Sequence, residues 1–279
     1  MQPELQACLQ SIRSQSYPRE KIEIIIANRS MSASASRIAK KFDAILLQNA
    51  GKERSAQRNK GALTAHGKYL LFLDVDMTLS HNVISECIAL FANKPHISGI
   101  YIPEVIKGRG LFGAIRNFER SFYNGTCIDA MRCIKADIFK HIGGFDTQLW
   151  GGEDWDLDRR LGGQNKGFII SKPLYHDEQN NTMYTYLQKK AYYTDSLVRY
   201  KYKWGDTDTI VQKQLGFLYR FLIVFVENKK WKKILRYPHL FLGVYSLKFF
   251  IGVTYIYALF RNRKNNKREQ MQNKINMVL

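Results

Sequence analysis

Short apolar runs rich in β-branched residues alternate with helical stretches through the first 175 residues, and this alternation limits the fold more than any other feature of the chain. Residues 22–27 (IEIIIA) read as a buried parallel strand, 37–42 as a short helix and 44–47 as the next strand. Residues 53–66 read as a helix stopped at Gly67, and 69–73 (YLLFL) as another buried strand. A helix over 79–92 and a strand over 97–102 follow. Such a β-α-β series predicts an α/β fold with a mostly parallel sheet flanked by helices. In such sheets ligands sit beyond the carboxyl ends of the strands, so chemistry is expected just after each strand.

The ends of the chain read differently. Leu5, Cys8, Leu9 and Ile12 fall at helical spacing, which predicts an amphipathic first helix stopped near Pro18. The opening residues contain no apolar core of the kind a secretory signal needs. Cys8, Cys87, Cys127 and Cys133 have no CxxC spacing, which predicts reduced thiols rather than a disulfide frame or structural zinc. The net charge of +19 is uneven: residues 189–279 hold 19 Lys/Arg against 5 Asp/Glu. Within that third, apolar stretches alternate with basic clusters, and residues 239–260 are about as long as the ~20 residues that cross a bilayer. Lys248 in the middle and basic residues on both flanks weaken a simple span. They predict a helical region over 181–260 lying on the anionic cytoplasmic leaflet, with an unstructured basic tail over 261–279. The aromatics there sit among Leu, Ile and Val rather than between cations, which argues against nucleic acid.

Three motifs carry chemistry. Asp74-Val75-Asp76 follows YLLFL at once. Two carboxylates at i and i+2 point the same way if strand geometry persists, and they repel unless a cation intervenes. Hard oxygen ligation there suits Mg²⁺ or Mn²⁺, whereas a helix-capping turn is the plainer alternative. The second motif runs from Gly143-Gly144-Phe145-Asp146 to Trp150-Gly151-Gly152-Glu153-Asp154-Trp155-Asp156-Leu157. Glu153 and Asp154 open a helix, where the dipole favours anions. Gly152 lets backbone approach a ligand, Trp150 and Trp155 offer faces of the kind that stack on sugars, and a carboxylate between them is a candidate general base. The third motif is His176 in a polar loop after Pro173; imidazole with a carboxylate is a reasonable pair for Mn²⁺.

These residues resemble glycosyltransferase family 2 with its Rossmann-like GT-A fold. Residues 51–79 (GKERSAQRNKGALTAHGKYLLFLDVDMTL) are similar to that family's run from an Arg-Asn helix to its DxD. Residues 142–161 are similar to its Gly-Gly-Phe-Asp to Glu-Asp-x-Asp-Leu segment, and the form WGGEDWDL also resembles the β-1,4-galactosyltransferase relatives. The resemblance covers residues 1–180, expected as one GT-A domain. It implies Asp154 as the base on the acceptor hydroxyl, with Glu153 orienting the acceptor. It implies Asp76 and His176 as ligands of a divalent metal, and Asp74, Arg58 and Asn59 at the donor. Trp150, Gly152 and Trp155 are the expected acceptor contacts. Two departures stand out. The family's opening strand is missing before Met1, from which a truncated N-terminus is expected. Asn28 stands where the family has an Asp for the base ring, and could hydrogen-bond a uracil.

The function expected is inverting, metal-dependent transfer of a hexose from a nucleotide sugar, a UDP-sugar, to a lipid-linked or growing glycan at the cytoplasmic face of the cell membrane. The alternative is a truncated, impaired remnant that only binds membrane or a partner. Nucleotide-sugar hydrolysis separates the two.

Overall fold

The computed structural model describes residues 2–162 and 168–276, with side chains to Arg261. The first helix, α1 (Gln2–Arg13), buries Cys8 and Leu9 as its periodicity predicts. It leans on β1 (Ile25–Ala27), α2 (Ala33–Lys41) and β2 (Ile45–Leu47), where Leu9, Ile24, Ile38 and Phe42 form one apolar cluster. Ser32 caps α2 by accepting from the Ala35 amide. The chain continues through α3 (Arg54–Thr64), β3 (Tyr69–Leu71), β4 (Met77–Leu79), α4 (Val83–Asn93), β5 (Gly99–Tyr101) and β6 (Glu104–Lys107). Then come α5 (Gly110–Arg120), β7 (Met131–Lys135), α6 (Ala136–His141), α7 (Glu153–Arg160) and β8 (Leu174–Asp177).

The strands are mixed in direction, a correction to the mostly parallel sheet expected. β1 pairs with β2 and β6 with β8 in parallel, but β7 runs against both its neighbours, β3 and β5, and β4 runs against β8. Apolar runs mark where strands lie and carry no direction. β7 is also interrupted by Arg132, so its pattern hides a central strand. The helix expected over 79–92 begins only at Val83, because residues 77–79 pair with β8. Residues 167–170 also read as strand-like in sequence; among the described residues they form a bridge between Tyr101 and Ile169, and residues 163–167 lie outside those described.

Two cores flank the central sheet. Leu70, Ile134, Phe139, Phe145 and Leu157 pack on one side, and Met77, Val83, Cys87, Ile100 and Leu174 on the other. At about 1.5–3 kcal/mol per fully buried large side chain, these clusters fix where the strand ends sit. Among the described residues no disulfide joins Cys8, Cys87, Cys127 or Cys133.

Beyond β8 the chain is helical. α8 (Met183–Trp204) starts with a capping box at Thr182, and α9 (Thr209–Leu215) is capped by the Asp208 side chain. A π-helical turn (Tyr219–Ile223) runs into α10 (Val224–Val226), followed by α11 (Trp231–Arg236) and α12 (Pro238–Asn276). The tail expected to be unstructured from residue 261 thus continues as helix to Asn276; residues 277–279 lie outside those described. Its polar residues are good helix formers in Lys, Arg, Gln and Glu, which extend a helix already nucleated.

Candidate active site

Strand geometry stops at Leu71, and Asp74 begins a turn closed by the Met77 amide donating to the Asp74 carbonyl at 3.0 Å. The two carboxylates of the DVD motif therefore diverge instead of pointing together, as a continued strand would have them. Asp74 turns toward α3. Arg58 donates to Asp74 Oδ1 and to Asp154 Oδ1, each at 2.8 Å, and lies 3.7 Å from Glu153 Oε1. Arg54, one helical turn earlier on the same face, sits 3.0 Å from Glu153 and 3.7 Å from Asp74. Arg132 from β7 stands 3.8 Å from Asp74. Three carboxylates from two distant motifs are held together by these guanidinium groups.

The electrostatics follow. Burial alone would raise Asp74, but Arg58, Arg132 and Arg54 hold it well below the usual carboxylate range. Glu153 moves the other way: its burial and the adjacent Asp154 outweigh Arg54 and Arg58, and raise it. Glu153 is 1% exposed, whereas the Asp154 side chain keeps about a fifth of its surface open (22%). Of the two, Asp154 is the one an incoming hydroxyl can reach.

Asp76 turns toward β8. The β4–β8 register sets Met77 opposite His176, and the Asp177 amide donates to the Asp76 carbonyl at 2.8 Å. His176 Nε2 lies 3.2 Å from Asp76 Oδ2, although the two are 100 residues apart in sequence. His176 Nδ1 lies 2.9 Å from Glu104 Oε1. Glu104 in turn pairs with Arg120 at 3.2 Å and Arg132 at 3.4 Å. Burial pushes His176 down, but hydrogen bonds to Asp76 and Glu104 more than reverse this and raise it to about 9. The other Asp76 oxygen, Oδ1, is buried with no hydrogen-bond partner. A buried carboxylate oxygen left open beside an imidazole fits a cation ligand, as the donor set of Mg²⁺ or Mn²⁺ requires. Among the described residues no group of three or more His, Cys, Asp or Glu is arranged as a metal cage, so Asp76 and His176 would be two ligands of a shell completed by other groups.

The glycine-rich motif supplies the wall. Gly144 has φ +70, and a Cβ there would stand 2.6 Å from Asn59 Oδ1. That close approach lets Asn59 form a doublet with Phe145, donating to its carbonyl and accepting from its amide at 2.8 Å each. Asn59, expected at the donor, is thus turned to bracing α3 against this loop. Gly152, at φ +81, reverses the chain into α7 so that Glu153 and Asp154 fall in its first turn. Ser196 of α8 fixes the loop by accepting from the Trp150 and Gly151 amides and donating to the Gly151 carbonyl. Trp150 donates to the Tyr192 carbonyl at 3.0 Å. Trp155 donates to the Ile128 carbonyl and packs with Leu149, Tyr200 and Val211. Asp146 and Asp156 are engaged elsewhere: Lys203 holds both, and Asp156 also meets Arg160 and Trp204. Asn28 stands at the carboxyl end of β1, its side-chain Nδ2 donating to the Ser30 carbonyl.

Sequence reading missed Arg54, Arg132, Glu104 and Arg120. The i, i+4 spacing of Arg54 and Arg58 on a helix before two carboxylates was the available signal. Glu104 and Arg132 carried none, because strand pairing brings them in.

The structure is thus an α/β sheet flanked by helices, with the two acidic motifs brought together at its strand ends. The chain belongs to glycosyl transferase family 2, whose family model matches residues 2–145. It is 23% identical over 256 residues to the minor teichoic acid biosynthesis protein GgaB of Bacillus subtilis (strain 168). That alignment covers 83% of this chain but spans only 28% of GgaB. Similar solved structures include S. aureus TarS 1–349 in complex with UDP, at 14% identity and TM-score 0.48 over 94% of this chain and 88% of that one. The same protein in complex with UDP-GlcNAc gives 14% identity and TM-score 0.46, over 85% and 74%.

Proposed function

We propose that the chain transfers a hexose, with inversion, from a UDP-sugar to a lipid-linked or growing glycan in cell-envelope polysaccharide synthesis, at the cytoplasmic face of the cell membrane. The observation that carries this reading is the junction at Arg58, which ties Asp74 of the first acidic motif to Asp154 of the second while Asp76 faces His176. One site then holds two partly open carboxylates, Asp74 and Asp154, the buried Glu153 and a carboxylate–imidazole pair.

In this reading Asp154 takes the acceptor hydroxyl proton as that oxygen attacks the anomeric carbon in line; a single base on one face gives inversion. Glu153, buried against Arg54, shapes the acceptor side through the loop rather than by reaching the hydroxyl. Trp150, Gly152 and Trp155 form the acceptor wall, Trp155 from behind through its packing on Tyr200. Asp74, with Arg58, Arg54 and Arg132 around it, holds the donor side, with Asn28 at the neighbouring strand end. Asp76 and His176 would hold Mn²⁺ or Mg²⁺, which supplies charge to the departing diphosphate. Glu104 accepts from His176 Nδ1 and so turns Nε2 toward Asp76, the arrangement by which a carboxylate orients a metal-binding imidazole.

Titrating Mn²⁺ into the full chain with UDP present, and following free Mn²⁺ by paramagnetic resonance, tests these assignments. Asp76→Asn is expected to weaken binding at least ~10-fold, and Glu104→Gln by ~10–100-fold without touching the ion itself. Parental Mn²⁺ affinity in both folded variants would remove the metal from this site.

A further inference from the structure

We infer that α12 and the short helical segments before it, from the π-helical turn to α11, dock the protein flat on an anionic phospholipid surface, without crossing the bilayer. This deepens the membrane-face reading above, and the flat placement expected from the sequence, by naming the residues that enter the lipid and the buried charge that keeps the helix on the protein; it stands independently of the transfer chemistry.

Residues Pro238–Arg261 form a helix of 24 residues, long and apolar enough to span. Its two faces have different surroundings. Val244, Leu247, Lys248 and Ala258 are buried on one. Val244 joins Phe118, Phe122 and Phe225 in an apolar cluster with α5 and α10. Leu242, Phe249, Phe250, Val253, Ile256 and Phe260 recur at i, i+7, i+8, i+11, i+14 and i+18, and all are exposed. They make one apolar stripe of large side chains along the helix, the feature that marks an interaction surface. Phe217, Leu218, Leu222, Ile223 and Val226 extend exposed apolar surface onto the adjoining π-helical turn and α10, which Tyr245 ties to α12 by donating to the Phe221 carbonyl.

Lys248 decides between lying and crossing. It is 4% exposed, 2.8 Å from the Tyr123 hydroxyl and 3.4 Å from Glu119. Glu119 also pairs with Arg116, and Arg116 grips Glu178, two residues beyond His176. The middle of the helix is therefore fastened to α5 by buried charge. It could cross a membrane only by carrying Arg116 and Glu119 into hydrocarbon, where charged groups are strongly disfavoured. Lying flat leaves that network in protein and puts the apolar stripe into lipid.

Charge selects the lipid. Residues 189–279 carry 19 Lys/Arg against 5 Asp/Glu, and Lys229, Lys232 and Arg236 stand beside the exposed Trp231 and Tyr237 just before the stripe. Basic residues with Trp and Tyr at the edge of an apolar face match an anionic headgroup layer.

Flotation of the full chain with vesicles tests this. Vesicles of phosphatidylcholine with phosphatidylglycerol are expected to bind it, and vesicles of phosphatidylcholine alone at least ~10-fold less well. Phe249→Glu with Phe250→Glu, both at exposed positions, should lose at least ~10-fold in partitioning with an unchanged melting temperature. High salt should release only part of the bound protein. A fluorophore on Leu242→Cys, Val253→Cys or Phe260→Cys should report the same shallow depth at all three. A deep Val253 between shallow ends would mean a span. Equal binding by the double variant, no binding at all, or a stable dimer that the double variant disrupts would each overturn the inference.

Discussion

Replacing Asp154 by Asn is expected to lower turnover by ~10²–10⁴-fold while leaving donor affinity little changed. Asn keeps the size of the side chain and can still accept from Arg58 through Oδ1, so the junction at 2.8 Å survives. Only proton acceptance is removed, and that matters in the transition state alone. Steady-state kinetics with the parent and the variant read this as a loss in kcat with donor KM near the parental value. Parental turnover in Asp154→Asn would transfer the role to Glu153. Asp156 is a poor substitute, because Arg160, Lys203 and Trp204 already surround it.

Replacing Arg58 by Met should cost about 3–5 kcal/mol of stability, the usual range when one member of a buried charge network is removed. The Arg58 side chain is 9% exposed, and Asp74 and Asp154 would both lose a partner at 2.8 Å. Arg54 and Arg132, at 3.7 and 3.8 Å from Asp74, soften the loss toward the lower end. The effect depends on pH in a stated direction. Asp74 is depressed below its ordinary value of 3.8 in the folded chain, so it stabilises the fold above that value. This contribution disappears as pH falls through the folded pKa. The gap between parent and variant should therefore be widest near neutral pH and narrow below pH ~4 in urea denaturation. A gap that stays constant down to acid pH would show that Arg58 acts by packing over the Phe145 ring rather than by charge.

Much of this was legible in the sequence because it is local. YLLFL before Asp74 and the glycines before Glu153 place those residues at a strand end and a helix start from neighbouring residues alone. What was not legible depends on distant pairing. β7 enters between β3 and β5 and brings Arg132 to Asp74, and no periodicity within MRCIK announces that. The four acidic residues from Asp146 to Asp156 look equivalent in sequence. They divide into a pair facing Arg54 and Arg58, Glu153 and Asp154, and a pair held elsewhere, Asp146 and Asp156, because Lys203 and Trp204 arrive from α8. Lys248 looked like an obstacle to burial in lipid, and its partner Glu119 lies 129 residues earlier, on α5. Asn59 reads as a donor residue until Gly144 is seen to admit it to the Phe145 backbone.

UDP release from UDP-hexoses by the full chain, with Mn²⁺ or with EDTA, and the anomeric configuration of the transferred sugar by NMR together test metal-dependent, inverting transfer. Inverting transfer at this site is expected to give UDP release with Mn²⁺, its loss with EDTA and in Asp76→Asn, and a configuration opposite to that of the donor. UDP release undiminished by EDTA, or a retained configuration, would contradict it.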